Sequence, residues 1–166
     1  MFDVLVFVYE NYWRGDACPQ WEHLGRKLSA VGFEQDEIQE ALTWLSGLSV
    51  ATQGSGPSPA SGAPRPVVVD PGWAPSERSM RVYSVDEQNR LGPECLGFLH
   101  FLETCDVLPA HMREVVIERA MASGSATLGL DDLKIIVLMV YWSFGQEPDA
   151  LVLDELCDDP MERVAH

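Results

Sequence analysis

Apolar residues recur at helical spacing along most of the chain. In residues 21–48, WEHLGRKLSAVGFEQDEIQEALTWLSGL, Trp21, Leu24 and Leu28 make one stripe, and Ile38, Ala41, Leu42 and Leu45 make another. Gly32 lies between them and supplies the left-handed backbone at which helices commonly end. Pro19 suits a first helical turn, so the earlier helix is expected to begin near Cys18. Asp36 and Glu37 fall in the first turn of the later helix, where the helix dipole favours anions. The pattern predicts a helix-turn-helix unit. Residues 2–13 read two ways. Val4, Val6 and Val8 alternate as in a strand, whereas Leu5, Val8, Tyr9 and Tyr12 share a helical face that Asp3 can cap. Helix is the reading adopted. Val4, Val6 and Phe7 cover its other faces, so burial on more than one side is expected.

The pattern stops at residues 52–66, TQGSGPSPASGAPRP, where large apolar groups are missing and a flexible loop is expected. Pro66–Val69 and Met80–Ser84 then look like two short strands, with turn chemistry, DPGWAPSER, between them. Three helices followed by two strands is the order of a winged helix. Beyond this point the signals are helical again. Ser84-Val-Asp-Glu87 has the form of a capping box and starts a short helix ending near Gly92. Residues 93–104 place Leu96, Phe98, Leu99 and Phe101 on apolar faces. Residues 109–122 open on Pro109 and carry Met112, Val115, Val116, Ala120 and Met121. Residues 130–144, LDDLKIIVLMVYWSF, are apolar nearly all round and stop at Gly145, which predicts the centre of a helical lobe. The expected fold is mainly α. A winged-helix-like lobe with a short β-wing (1–84) packs against a helical lobe (85–145), followed by an acidic tail (146–166).

Charge changes the functional picture more than the fold. The 166 residues carry 26 Asp and Glu against 11 Lys and Arg, a formal net charge of −15. Such a surface repels nucleic acid and anionic membrane and attracts basic partners. The later helix of the turn holds Asp36, Glu37 and Glu40 and no Lys or Arg, whereas DNA-reading helices lean on cations at phosphates. The tail repeats the bias, with seven acids from Glu147 to Glu162 against Arg163; a solvated end explains it more simply than a binding tail. No targeting segment is expected at MFDVLVFVYENYW, and the longest apolar run, Ile135–Trp142, falls well short of the roughly 20 residues a bilayer needs. Cys18, Cys95, Cys105 and Cys157 lack paired spacing and read as reduced thiols of a cytoplasmic protein.

Catalytic chemistry finds no motif. There is no nucleophile elbow and no phosphate loop, and Asp131-Asp132 and Asp158-Asp159 read as helix-start and tail acids. Cys95, His100, Cys105 and His111 are close in sequence, yet a five-residue step turns the first two to different helix sides, so no metal site is expected. No cofactor is expected either.

Six segments, MFDVLVFVYENY, GFEQDEIQEALTWL, SMRVYS, GFLHFLE, REVVIERAM and LDDLKIIVLMVYW, occur in an order that resembles the Smg family of bacterial proteins. The resemblance spans nearly the whole chain outside the 52–66 stretch and the tail. It implies a compact, mostly helical cytoplasmic protein without an established activity, encoded near a DNA-processing protein of the recombination-mediator class.

The expected function is therefore non-enzymatic: an adaptor or regulator that binds another protein, with a link to DNA or RNA metabolism. Trp73, Tyr83 and Trp21 are the candidate contacts, because aromatic side chains dominate binding hot spots. Core packing explains Trp21 more simply, and Trp73 divides evenly between exposure and docking. The alternative is weak nucleic-acid binding through Arg65, Arg78, Arg81 and Arg90 near the wing, against which Arg81 pairing with a local acid is the simpler account. On the apolar 109–122 helix, Arg113, Glu118 and Arg119 are as well explained by salt bridges between lobes as by a site.

Overall fold

A computed structural model describes residues 1–12, 21–55, 81–124 and 127–146. The described residues form six helices: α1 (Phe2–Tyr12), α2 (Trp21–Val31), α3 (Gln35–Ser55), α4 (Val85–Thr104), α5 (Ala110–Met121) and α6 (Leu130–Ser143). The ambiguous first segment is a helix that buries Val4, Leu5 and Val8. Valine alternation there reflects a helix covered on several faces, since Phe2, Phe7, Tyr9 and Tyr12 also pack against the core.

The turn between α2 and α3 closes as its glycine requires. Gly32 has φ +112°, and the N–H groups of Gly32 and Phe33 both donate to the Leu28 carbonyl, at 3.2 and 3.3 Å. Phe33 then stands edge-on to Phe7, with ring centroids 5.7 Å apart, which fastens the turn to α1. From there α3 runs 21 residues. The loop expected from residue 52 therefore begins too early, because residues 52–55 are still helical. Leu48 and Ala51 extend the packed face, and the Thr52 hydroxyl bonds the Leu48 carbonyl (3.1 Å) and Ser143 Oγ of α6 (3.0 Å). Residues 56–66 of that loop lie outside the described residues.

The β-wing is not seen: no strand occurs among the described residues. Pro66–Val69, the first expected wing strand, lies outside them. Residues 81–84 of the second are irregular chain. Their strand-like alternation has another cause. Arg81 and Tyr83 turn inward onto α4 and α5 while Val82 stays 83% exposed, and Ser84 spends its backbone N–H on the cap of α4. The winged-helix expectation falls with the wing, although its helix-turn-helix is present.

The capping box that opens α4 is complete, with Glu87 N–H donating to Ser84 Oγ (3.3 Å) and Ser84 N–H to the Glu87 carboxylate (2.7 Å). α4 breaks at Gly92, where φ is +67°, and restarts at Pro93. α6 is the most enclosed helix, with Leu133, Ile136, Val137, Met139 and Val140 inaccessible to solvent. It packs against α1, α3, α4 and α5, so one core runs through residues from both halves of the chain. Fully burying each such side chain contributes roughly 1.5–3 kcal/mol. Gly145 (φ +64°) ends it. Among the described residues no helix is long and apolar enough to cross a membrane.

Candidate functional site

Two charged regions of opposite character lie on this scaffold. The first forms where residues 81–84 dock. Arg81 reaches both Glu87 oxygens, at 2.8 and 2.7 Å, and both Glu114 oxygens, at 3.2 and 3.1 Å. Its guanidinium stacks over the Tyr83 ring, 4.6 Å from the centroid. Arg113 also holds Glu114 (2.7 Å) and reaches across to Glu103 of α4. Two guanidiniums thus clamp three carboxylates. The Arg81 hydrogen bonds hold the Glu87 carboxyl down to about 2, and the same bonds, to Glu87 first and Glu114 second, raise Arg81 further. Burial works to raise Glu114, but its bonds from Arg81 and Arg113 outweigh it and the net shift is downward. Tyr83 is raised mainly by burial.

The second region is the outward side of α3. Asp36, Gln39, Glu40 and Thr43 occupy one polar stripe, at positions i, i+3, i+4 and i+7. With Met1, Trp44 and, from α5 and its end, Arg119 and Ala122, they line a groove of about 400 Å³. Asp36 and Glu40 are exposed and have no charged partner among the described residues, whereas Glu37 lies 3.9 Å from the Met1 amino group. The floor is built by long-range contacts. The buried Trp44 ring donates its Nε1–H to the Arg119 carbonyl (3.0 Å). The Arg119 guanidinium crosses α3 at Gly47, where any Cβ would collide with Nη1. Nη2 bonds Glu118 (2.8 Å), while the buried Nε has no acceptor among the described residues.

The residues singled out from sequence scatter over this picture. Trp73, Arg65 and Arg78 lie outside the described residues, as does the side chain of Trp21, which starts α2. Tyr83 is half-buried beneath Arg81. Arg81 is fully engaged in the clamp, where the local pairing weighed from sequence is present. Arg90 is partly buried and directs Nη2 to the Met121 and Ser123 carbonyls, closing the end of α5, while its own carbonyl accepts Leu128 N–H (2.9 Å). The salt bridges expected between lobes are not what these side chains form: Arg113 bridges α4 to α5 within the 85–145 half, and Glu118 and Arg119 pair with each other as neighbours. Cys95 is buried with Sγ 3.6 Å from the Leu128 carbonyl, and its thiol is pushed up to about 11, first by burial and then by Glu94 and Asp132. His100 and Cys105 are exposed, and His111 stands edge-on to Phe144. Among the described residues no three of His, Cys, Asp and Glu converge as a metal-binding set. Trp44, Gly47 and the Arg119 guanidinium were not readable as parts of one site, because 75 residues separate the tryptophan from its acceptor.

Comparison with known proteins agrees over the full length. Residues 1–166 match the family described as "Protein of unknown function (DUF494)". Proteins called Protein Smg homolog from Leptothrix cholodnii and from Methylibium petroleiphilum are each 52% identical over 166 residues, covering all of both chains. The homolog from Bordetella petrii is 43% identical, again over the whole of both chains. No solved structure matches. With a family match from end to end and full-length relatives at this identity, the chain belongs to the Smg family.

Proposed function

We propose that this protein is a non-enzymatic, cytoplasmic adaptor or regulator that binds another protein through the outward side of α3. The reading rests on one observation: the carboxylates of Asp36 and Glu40 stand exposed beside a groove without charged partners among the described residues. Exposed charge left uncompensated inside the molecule steers and selects an oppositely charged partner. The nucleic-acid alternative draws less support, because Arg81 is occupied by two glutamates and Arg90 by the end of α5.

Immobilised full-length protein, exposed to bacterial lysate at low salt, is expected to retain one protein in stoichiometric amount. Substituting Asp36, Glu37 and Glu40 together by lysine is expected to release it. A clean capture with no retained protein overturns the reading. Duplex DNA whose binding weakens steeply with salt, and with a smaller slope in Arg81→Ala, would favour the alternative.

A further inference from the structure

The surface of this chain is mostly negative, so its exposed cations stand out. Among the described residues, Arg26 and Lys27 are the only exposed Lys or Arg side chains; Arg81, Arg90, Arg113 and Arg119 are partly buried and Lys134 is buried. The two sit side by side on α2, and Lys27 borders a pocket of about 270 Å³ between α1 and α2. Phe7, Asn11, Tyr12, Ala30 and Val31 complete its lining. The polar groups there are already engaged. Asn11 Nδ2 donates to the Phe7 carbonyl (2.8 Å), and Lys27 Nζ lies 5.3 Å from the centroid of the Tyr12 ring. What stays open is apolar, since Val31 is 55% exposed. An apolar cavity of about 150 Å³ already holds benzene, so an aliphatic side chain fits. The face suits an occupant with an aliphatic anchor flanked by carboxylates.

A chain of net charge −15 repels a separate acidic molecule at a distance. A segment of the same chain is tethered, and its high effective concentration offsets that repulsion. Residues 147–166, outside the described residues, have the required composition. Leu151, Val152, Leu153 and Leu156 are interleaved with Asp154 and Glu155 and followed by Asp158 and Asp159. The distance also permits it. The hydroxyl contact of Thr52 with Ser143 puts the end of α6 beside the end of α3. α2 folds back along α3, where a Cβ on Gly25 would meet Leu42 Cδ1 at 3.6 Å, which sets Lys27 near the level of Glu40. From Thr52 to that level is about 18 Å along α3, and α2 lies about one helix diameter, roughly 10 Å, to the side. Ten extended residues beyond Gln146 reach about 33 Å, which brings Leu156 to the pocket.

We propose that residues 151–159 dock on α2 of their own chain, with an aliphatic side chain in the α1–α2 pocket and carboxylates at Arg26 and Lys27. A segment held there also denies both cations to nucleic acid. The chain has two lysines, and Lys134 is only 7% exposed, so Lys27 is the amine to probe. Carbodiimide coupling, which joins an amine directly to a carboxylate, is applied to the full chain and read by peptide mass spectrometry. Lys27 is expected to be joined to Asp154, Glu155, Asp158 or Asp159. In an equal mixture of unlabelled and ¹⁵N-labelled protein, both halves of each joined pair are expected to carry the same label. Leu153→Ser with Leu156→Ser, which leaves the charge unchanged, is expected to cut the joined fraction at least about threefold. Arg26→Glu is expected to cut it similarly, as is 1 M salt, where screening acts within about 3 Å. Lys27 left uncoupled, or joined only to acids of the described helices, overturns the proposal and leaves the tail a solvated end. Mixed labels overturn it in favour of a second copy, and an unchanged yield in the leucine variant reduces it to bare charge attraction without docking.

Discussion

The clamp around Arg81 and the stripe on α3 handle negative charge in opposite ways. In the clamp, Glu87, Glu103 and Glu114 each face a guanidinium, and residues from the 81–87 segment, α4 and α5 are tied together. On α3, Asp36 and Glu40 face outward with no such partner among the described residues. A chain of net charge −15 has few cations to spend, and Arg81, Arg90 and Arg113 are spent on tying α4 and the segment before it to α5. Carboxylates in the two regions are chemically identical, so their neighbours alone separate a structural role from an available one.

Substitution should expose the contrast most strongly in stability. Arg113 is only 13% exposed, and Arg113→Ala strands Glu103 and half of Glu114, so a loss of about 2–3 kcal/mol is expected in denaturant unfolding. Asp36→Ala with Glu40→Ala, measured alongside, should stay within about 0.5 kcal/mol of the parent, as surface changes do. Comparable losses in both would erase the distinction.

Acid sharpens it next. Glu87 is held at about 2 against an ordinary 4.5. A carboxyl depressed on folding stabilises the protein above its unfolded value and loses that contribution as pH falls toward the folded value. Melting temperature should therefore drop between about pH 4.5 and pH 2, and Glu114, shifted the same way, adds to the fall. Arg81→Met should melt lower at pH 7 and lose much of this acid dependence. An unchanged acid profile in Arg81→Met would remove the clamp from the account.

The smallest effect concerns Gly47. A methyl group there displaces the flexible end of Arg119, while alanine gains up to about 1 kcal/mol of helix propensity over glycine. Gly47→Ala should thus change stability little and yet shift the Trp44 indole resonance, because the displaced guanidinium lies over the groove floor. A large loss of stability would show that Arg119 is structural after all.

Local signals were the legible part of this fold. Gly32, the Ser84–Glu87 box, Gly92, Pro109 and Gly145 each act within one turn; Gly92 marks the break inside α4 and each of the others a helix end. The enclosed character of α6 also followed from its unbroken apolar run. The wing failed for a non-local reason. Alternation at 81–84 is produced by side chains docking on α4 and α5, and period-two patterning does not distinguish that from strand pairing. The start of the Gly/Pro/Ser stretch failed likewise, since Thr52 is held in α3 by a hydroxyl partner 91 residues away. Of the candidate site, the acids of α3 were visible as a charge pattern. The groove they border was not, because Trp44, Gly47 and Arg119 meet only after folding.

Thr52 against Ser143, and Arg81 against Glu114, fasten the chain on either side of residues 56–80. The two anchors reach different helices, Thr52 to α6 and Arg81 to α5, so removing one contact is expected to leave the other standing.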